Sequence, residues 1–284
     1  MSQYKIQVTC DSTCDLPQEL YAQHNVHVVP LTVTLNDIPH HDGVDISAEE
    51  LFAFVKESGT LPKTAAISMG EYLDVFSKYT AEGYEVIHIN LSSNLSASHQ
   101  NAVLASQELE GVYVVDSRNL SSGSGLLVLE ACEMAQQGME AAEIVAKLQE
   151  LATRVDASFV LQTLEYLQKG GRCSSVAALG ARALQLRPEI RVHDGGMSVG
   201  KKYRGNLDKS VADYIRGRIE GRTDIGATRI FVTHSSVADE SVAKAVELVH
   251  QLQPEAEVLV SRAGCTICSH CGPNCLGVLF ITKA

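Results

Sequence analysis

The sequence predicts an α/β protein whose N-terminal part is built on a mostly parallel sheet. Runs of branched aliphatic residues alternate with amphipathic helical segments, the order that produces parallel strands. The 284 residues are 45% hydrophobic and 20% charged, which excludes a disordered, collagen-like or coiled-coil chain. At about 150 residues per domain, this length admits one large domain or two modest ones.

The regular alternation lies in the first half of the chain. Strands are predicted at 5–10, 27–35, 85–91 and 111–115, and helices at 17–23, 48–58, 70–81 and 96–109, followed by two helices on either side of Gly138. Ser47 and Glu50 have the spacing of a capping box at the start of one helix. Pro30 interrupts the second strand and indicates an edge or a bulge.

The second half is less regular. It predicts a strand at 158–162, a hairpin of 187–193 with 197–203, helices at 207–219 and 239–252, and strands at 229–233, 257–261 and 277–282. We therefore expect a mixed sheet here and place the boundary between two domains, 1–154 and 155–284, where the pattern changes.

The net charge and the hydropathy of the chain exclude some classes of binding partner. The 23 basic and 34 acidic residues give a net charge of −11, which repels nucleic acid phosphates and anionic lipid. No stretch reaches the roughly 18 apolar residues that a membrane span requires, and the N-terminus lacks the pattern of a signal peptide. We expect a cytoplasmic protein without a membrane span or a nucleic-acid partner.

Hydroxyl-rich segments follow several predicted strands, at 11–15, 92–96, 116–117 and 234–236. Ligands bind at the carboxyl ends of parallel strands, and helix N-termini there favour anions, so a carboxylate or phosphate is the expected guest. Each segment alone is also an ordinary helix cap. Asp11 and Asp15 are either a carboxylate pair for acid/base or Mg²⁺ chemistry or, more simply, caps of the following helix.

Two segments match the sequence patterns of catalytic motifs but lack the secondary structure that those motifs require. The segment 196–200 has the G-x-S-x-G pattern of serine hydrolases, and 195–202 approximates a phosphate-binding loop. Both lie in the predicted hairpin, where no helix follows. We therefore expect no catalytic machinery, although a hydrolase using Ser198 with His234 or His270 is a distant alternative.

Four cysteines near the C-terminus have the spacing of bacterial ferredoxin ligands: Cys265, Cys268, Cys271 and Cys275. The proline that usually follows the last of these is replaced by Leu276. Two interpretations stay open, thiols that fill small positions in a loop and a bound iron-sulfur cluster or zinc ion. A metal- or thiol-based redox protein is therefore our alternative function.

Four motifs occur together in a characteristic order: 11–16 (DSTCDL), 91–96 (LSSNLS), 169–172 (KGGR) and 269–273 (SHCGP). From about residue 5 to 281 the chain resembles the DegV family of fatty-acid-binding proteins. The resemblance implies a two-domain α/β fold that holds a long-chain fatty acid in an apolar tunnel between the domains. It also implies an ATP-dependent fatty acid kinase as partner, which phosphorylates the carboxylate to an acyl phosphate.

The resemblance also implies roles for individual residues. The carboxylate ligands would be Thr64, His270 and a serine of 92–96, with Ser96 favoured over Ser93, and Arg172 would contact the kinase. The bound fatty acid would be the ligand, and no cofactor is implied. Candidate tunnel-lining residues are apolar: Phe159, Val160, Leu161, Val176, Ala177, Leu179, Leu184, Ile190 and Val192.

Overall fold

The first of three sheets is fully parallel. The computed structural model describes residues 5–177 and 186–283, without the side chains at 176, 177 and 226–228. The strands of this sheet, in pairing order, are β2 (His27–Val29), β1 (Lys5–Asp11), β6 (Tyr84–Asn90) and β7 (Val112–Asp116). The predicted parallel arrangement of the N-terminal part is confirmed.

Most helices of the N-terminal part pack on this sheet. The helices of this part are α1 (Gln18–Gln23), α2 (Ala48–Ser58), α3 (Met69–Ala81), α4 (Ser98–Ser106), α5 (Ser122–Gln136) and α6 (Ala141–Ala152). The capping box predicted at Ser47 is present, because its hydroxyl accepts the Glu50 N–H while the Glu50 carboxylate accepts the Ser47 N–H. A second box of the same kind begins α3 at Ser68 and Glu71.

A small antiparallel sheet was not predicted. Its strands are β4 (Ile38–His41), β3 (Thr32–Leu35) and β5 (Lys63–Ala65). The single strand expected at 27–35 is wrong: its first part, β2, joins the parallel sheet and its last part, β3, joins this small sheet. Pro30 lies between them and has no N–H for a continuous ladder, so the chain changes sheets there.

The third sheet is mixed and has six strands. In pairing order these are β10 (Gly196–Tyr203), β9 (Arg187–His193), β8 (Val155–Val160), β13 (Cys275–Thr282), β11 (Ile225–Ser235) and β12 (Glu257–Arg262). Among the described strands of this sheet, β11 and β12 pair in parallel and the other neighbours pair antiparallel. The predicted hairpin is confirmed as β9 and β10, with positive φ angles at Asp194 and Gly195. The predicted strand at 158–162 begins earlier, at Val155.

The helices of the C-terminal part are α7 (Glu165–Gly170), α8 (Ser174–Ala177), α9 (Leu207–Ile219), α10 (Asp239–Leu252) and α11 (Cys265–Cys271). The bounds of α9 and α10 are those that the sequence predicts. The cysteine segment, in contrast, was expected to be a loop and forms α11. Seven residues of this composition carry no amphipathic period long enough to indicate a helix.

Helix α5 lies where the two sheet systems meet. It is buried along most of its length and contacts β1 and β6 on one side and β8, β11 and β13 on the other. The hydroxyl of Ser122 bonds that of Thr233 in β11. One apolar cluster therefore runs through both parts of the chain. The division at 154/155 stays a prediction, and the change from the parallel to the mixed sheet falls at the same place.

In the part of the chain that the structure describes, no helix has the length and apolarity needed to cross a bilayer.

A buried histidine in the parallel sheet predicts how stability depends on pH. The His88 ring is bonded by the hydroxyl of Thr9 at 2.8 Å and the amide of Asn90 at 3.0 Å, and it packs against Tyr72. Burial lowers the pKa of His88 to about 3. The unfolded chain takes up this proton near pH 6.5 and the folded one does not, so stability is full above that pH and falls as the solution is acidified.

We expect His88→Gln to remove this contribution. Between about pH 6.5 and pH 4, the wild-type free energy of unfolding should fall more steeply than that of the variant, by up to about 1.4 kcal/mol per pH unit. Urea denaturation at several pH values measures both slopes. The other titrating groups are common to both proteins, so equal slopes would contradict the assignment.

Candidate functional site

Two carboxylates from the N-terminal half hold the start of helix α11. Asp15 accepts the N–H of Gly264 at 2.8 Å, and Asp42 accepts the N–H groups of Cys265 at 2.7 Å and Thr266 at 3.0 Å. These donors have no partner within the helix, and the positive end of its dipole attracts anions. The two aspartates therefore orient α11 relative to the parallel sheet.

The aspartates of the motif at 11–15 have a structural role, because they accept hydrogen bonds from neighbouring elements. Asp11 caps the short 3₁₀ helix that follows β1, accepting the N–H of Thr13 at 3.0 Å, and its other oxygen accepts the N–H of Leu91 at 2.8 Å. Asp15 accepts the hydroxyl of Ser121. Burial raises the pKa of both carboxyls. The cap interpretation holds for Asp11, whereas Asp15 reaches α11 and the segment before α5 instead of its own helix.

His270 occupies the last turn of α11, and its ring lies against two distant segments. Its Nε2 is 2.9 Å from the hydroxyl of Thr64 in β5. Its Nδ1 is buried without a hydrogen-bond partner beside the end of α7. A Cβ at Gly170 would overlap this nitrogen, so only glycine leaves room for the ring in its present position.

His270 is uncharged at neutral pH. Burial, and next the guanidinium of Arg172, lower the pKa of His270 to about 4. Arg172 is exposed and donates to the Gly170 carbonyl at 2.6 Å. A neutral imidazole has one N–H donor and one acceptor nitrogen, so the pair of His270 and Thr64 can present a donor to an incoming oxygen.

Two adjoining cavities meet at His270. The outer cavity has a volume of about 180 Å³, is lined by Thr64, Ser96, Arg172 and His270, and is otherwise mostly apolar. The inner cavity has a volume of about 50 Å³ and a predominantly apolar wall. Both are bordered by the same four residues: Leu120, Met197, Ile267 and His270. The arrangement places hydrogen-bonding groups beside a cavity with an apolar wall.

The two serines proposed from the sequence lie in different environments. Ser96 is half-buried, lines the outer cavity and shares a hydrogen bond of 2.9 Å with the hydroxyl of Ser98. Ser93 is exposed, donates to Asp116 at 2.5 Å and lines neither of the two cavities. The helix expected to begin at Ser96 begins at Ser98. The structure therefore brings Thr64, Ser96, Arg172 and His270 together and leaves Ser93 apart.

Only part of the predicted apolar lining contacts the cavities. Phe159 lines the inner cavity. Other candidates are buried in the core but line neither cavity: Val160, Leu161, Ile190 and Val192. Leu179 and Leu184 lie outside the described residues, as do the side chains of Val176 and Ala177.

Several lining residues had no sequence signal. Leu120 comes from the segment before α5, and Met197 comes from the hairpin strand β10. Thr266 lines the outer cavity from the first turn of α11. Neither the G-x-S-x-G match that contains Met197 nor the cysteine spacing that contains Thr266 indicated a place at a cavity, and each residue reaches it through long-range packing.

The four C-terminal cysteines separate into two pairs. Cys265 and Cys268 pack in a small cluster with Val33 of β3, whereas Cys271 and Cys275 line the inner cavity. All four thiols are free and buried. Across residues 5–177 and 186–283, no three His, Cys, Asp or Glu side chains are arranged to hold a metal ion. The spacing of ferredoxin ligands therefore does not correspond to a metal site in the described chain.

Known proteins resemble this chain over its whole length. A DegV domain-containing protein of Clostridium acetobutylicum is 32% identical over 281 residues, which cover 98% of this chain and 99% of that protein. A DegV family protein of Thermus thermophilus, whose structure is described as fatty acid binding, has a TM-score of 0.88 and 32% identity over 98% of this chain and 99% of its own. A stearic acid-binding protein of Eubacterium ventriosum has a TM-score of 0.86 and 25% identity, with 99% of each chain covered.

The family model described as "Uncharacterised protein, DegV family" matches residues 5–283. This match covers the parallel sheet, the mixed sheet and α11. The chain therefore belongs to the DegV family.

Proposed function

We propose that this protein binds a long-chain fatty acid, with the carboxylate in the outer cavity and the acyl chain in the inner cavity. The observation that carries the proposal is the contact between Thr64 and His270, at the junction of a polar entrance and an apolar interior. The fatty acids bound by the related proteins of Thermus thermophilus and Eubacterium ventriosum support it.

Neutral donors suit a carboxylate that leaves water. The hydroxyls of Thr64 and Ser96 replace hydrogen bonds that the head group loses, and His270 orients the Thr64 hydroxyl by donating to its oxygen from Nε2. Arg172 adds a positive charge at the entrance of the cavity. Ser93 is not part of this proposal, because it is exposed, lines neither cavity and donates its hydroxyl to Asp116.

The acyl chain supplies the affinity. At about 0.8 kcal/mol per buried methylene, a long chain contributes on the order of ten kcal/mol before the costs of binding. The inner cavity of 50 Å³ is smaller than such a chain, so its lining must move apart on binding. Met197 is suited to this movement because its unbranched side chain adapts to irregular spaces.

The second part of the proposal concerns a partner. We infer that an ATP-dependent fatty acid kinase in the cytoplasm phosphorylates the bound carboxylate to an acyl phosphate. Arg172 is exposed and lines the outer cavity, so it can contact both a docked protein and the head group. In this scheme the binding protein supplies the acyl chain and its orientation, and the kinase supplies ATP and catalysis.

Identifying the ligand is the first test. The purified protein is denatured and extracted, and the extract is analysed for fatty acids by mass spectrometry. We expect about one equivalent of long-chain acid per protein chain. In a delipidated sample, we expect palmitate to displace a bound fluorescent fatty acid. A protein that neither contains nor accepts a fatty acid would refute the proposal.

Substitutions at the head-group site should weaken binding. Thr64→Ala and Ser96→Ala each leave a carboxylate oxygen short of a donor, which costs about 1–3 kcal/mol, or roughly 5- to 150-fold in Kd. Ser93→Ala removes a hydroxyl from the same loop but outside the cavities, and it is the matched control. Displacement titrations measure all three. Equal affinity in all three variants and the wild type would contradict the proposed site.

Gly170→Ala tests the position of His270 without changing any polar group. The added methyl group overlaps Nδ1 and forces the ring away from Thr64, so we expect weaker fatty acid binding. Gly70→Ala is the control, because the nearest atom to its new methyl group is 3.9 Å away. Unchanged affinity in Gly170→Ala would show that the position of the ring is not required.

Arg172→Ala should separate binding from phosphorylation. The side chain is exposed, so we expect the variant to retain fatty acid and to be phosphorylated more slowly by a cognate kinase. Retained lipid and the rate of acyl phosphate formation are measured on the same preparation. Loss of the lipid would instead place Arg172 among the carboxylate ligands.

A further inference from the structure

Two thiols lie in the wall of the inner cavity. Cys271 ends α11 and Cys275 begins β13, and both are buried at 4% and 7% exposure. The turn between them is held by Ser235, whose hydroxyl donates to the Gly272 carbonyl at 2.5 Å and accepts the Cys275 N–H at 3.2 Å. The two cysteines are therefore fixed next to each other, facing the space proposed for the acyl chain.

The two thiols differ in acidity. Hydrogen bonds donated by Cys268 and Cys275 hold the pKa of Cys271 well below its ordinary value, despite burial. The same hydrogen bond, together with burial, holds the pKa of Cys275 well above its ordinary value. Both thiols line the inner cavity, and because the thiolate is the nucleophile, these hydrogen bonds favour Cys271 over Cys275 as the attacking member of the pair.

The burial of the two thiols limits which molecules can reach them. With so little exposed surface, Cys271 and Cys275 are reached through the cavity. Cys268 neighbours Cys271 but lines neither cavity, since it packs in the apolar cluster that contains Val33 and Leu51. A molecule that the cavity binds therefore meets Cys271 and Cys275 together and does not meet Cys268.

We infer that Cys271 reduces the hydroperoxide group of a peroxidised fatty acid bound in the inner cavity, with Cys275 as the resolving thiol. This inference rests on the proposed fatty acid binding. The proposed reaction of the cysteine pair requires no metal. The oxidant is the hydroperoxide group of the bound lipid.

The step balances in two stages. The Cys271 thiolate attacks the terminal oxygen of the hydroperoxide, so that an S–O bond forms, the O–O bond breaks and the lipid leaves as an alcohol after taking up a proton. Cys271 is then a sulfenic acid. The Cys275 sulfur attacks it, an S–S bond forms and water leaves with the Cys275 proton. One hydroperoxide is reduced to an alcohol and two thiols are oxidised to one disulfide.

The test uses the reduced, delipidated full-length protein and a linoleic acid hydroperoxide. We expect about one equivalent of the alcohol per chain, loss of two titratable thiols and a Cys271–Cys275 disulfide in the peptide map. Excess palmitate should slow the reaction about tenfold or more by occupying the cavity. Hydrogen peroxide at the same concentration should react more slowly, because the cavity gives it no affinity.

Variants assign the two roles. Cys271→Ser should abolish reduction, and Cys275→Ser should stop at a sulfenic acid that dimedone traps on Cys271. Cys132→Ser in α5 is the control, because that thiol lines neither the inner nor the outer cavity, and it should react like the wild type. Palmitate competition in the wild type keeps the inference testable if Cys271→Ser does not fold.

Three results would overturn the inference: an unreduced hydroperoxide, oxidation that palmitate does not slow, or oxidation by hydrogen peroxide at an equal rate. If palmitate still displaces a fluorescent fatty acid in the same samples, only the redox inference fails. If no fatty acid binds at all, the proposed function fails as well.

Discussion

Helix α11 is the element on which the site depends, and two aspartates from the other half of the chain hold it. A helix of seven residues is too short to persist on its own, because nucleation costs more than so few hydrogen bonds return. Asp15 and Asp42 satisfy the three N–H groups at its start. The positions of His270 and Cys271 therefore follow from contacts made at the opposite end of the helix.

Burial shifts the pKa values of two ionisable groups that contact this helix or belong to it. It raises the pKa of Asp15 and lowers the pKa of His270, so both groups are shifted towards their uncharged forms. A carboxylate that enters the outer cavity would meet hydroxyl and imidazole dipoles, with Arg172 as the cation at the entrance. In the proposed site, recognition of the head group would depend on the placement of hydrogen bonds, and the glycine beside His270 leaves the room that the ring needs in its present position.

The two cavities differ in the chemical character of the side chains that line them. Hydroxyl groups, a histidine and an arginine surround the outer cavity, whereas the inner cavity is mostly apolar and carries two thiols. Four residues border both spaces, so movement of Met197 or Ile267 would change both volumes together. In the proposed complex, the head group of the lipid would lie in the outer cavity and its chain beside Cys271 and Cys275.

Local signals in the sequence were enough to determine much of the fold. The Ser47 and Glu50 pair, the periodic segments that became α9 and α10, and the turn at Asp194 each contain their own information within a few residues. The order of short motifs was also enough to indicate the family. Such features are predictable because hydrogen bonds between close neighbours decide them.

Only the tertiary structure decided how the site is assembled. Thr64 and His270 are 206 positions apart, and although the family resemblance assigned both to one carboxylate, no local pattern indicates that their side chains bond each other. The division of the 27–35 segment between two sheets, the helical state of the cysteine segment and the contribution of Met197 likewise depend on partners far along the chain. The resemblance favoured Ser96 over Ser93 but kept both as candidates, and packing placed Ser96 at the cavity and Ser93 in solvent, because side-chain direction in a loop is set by the elements around it.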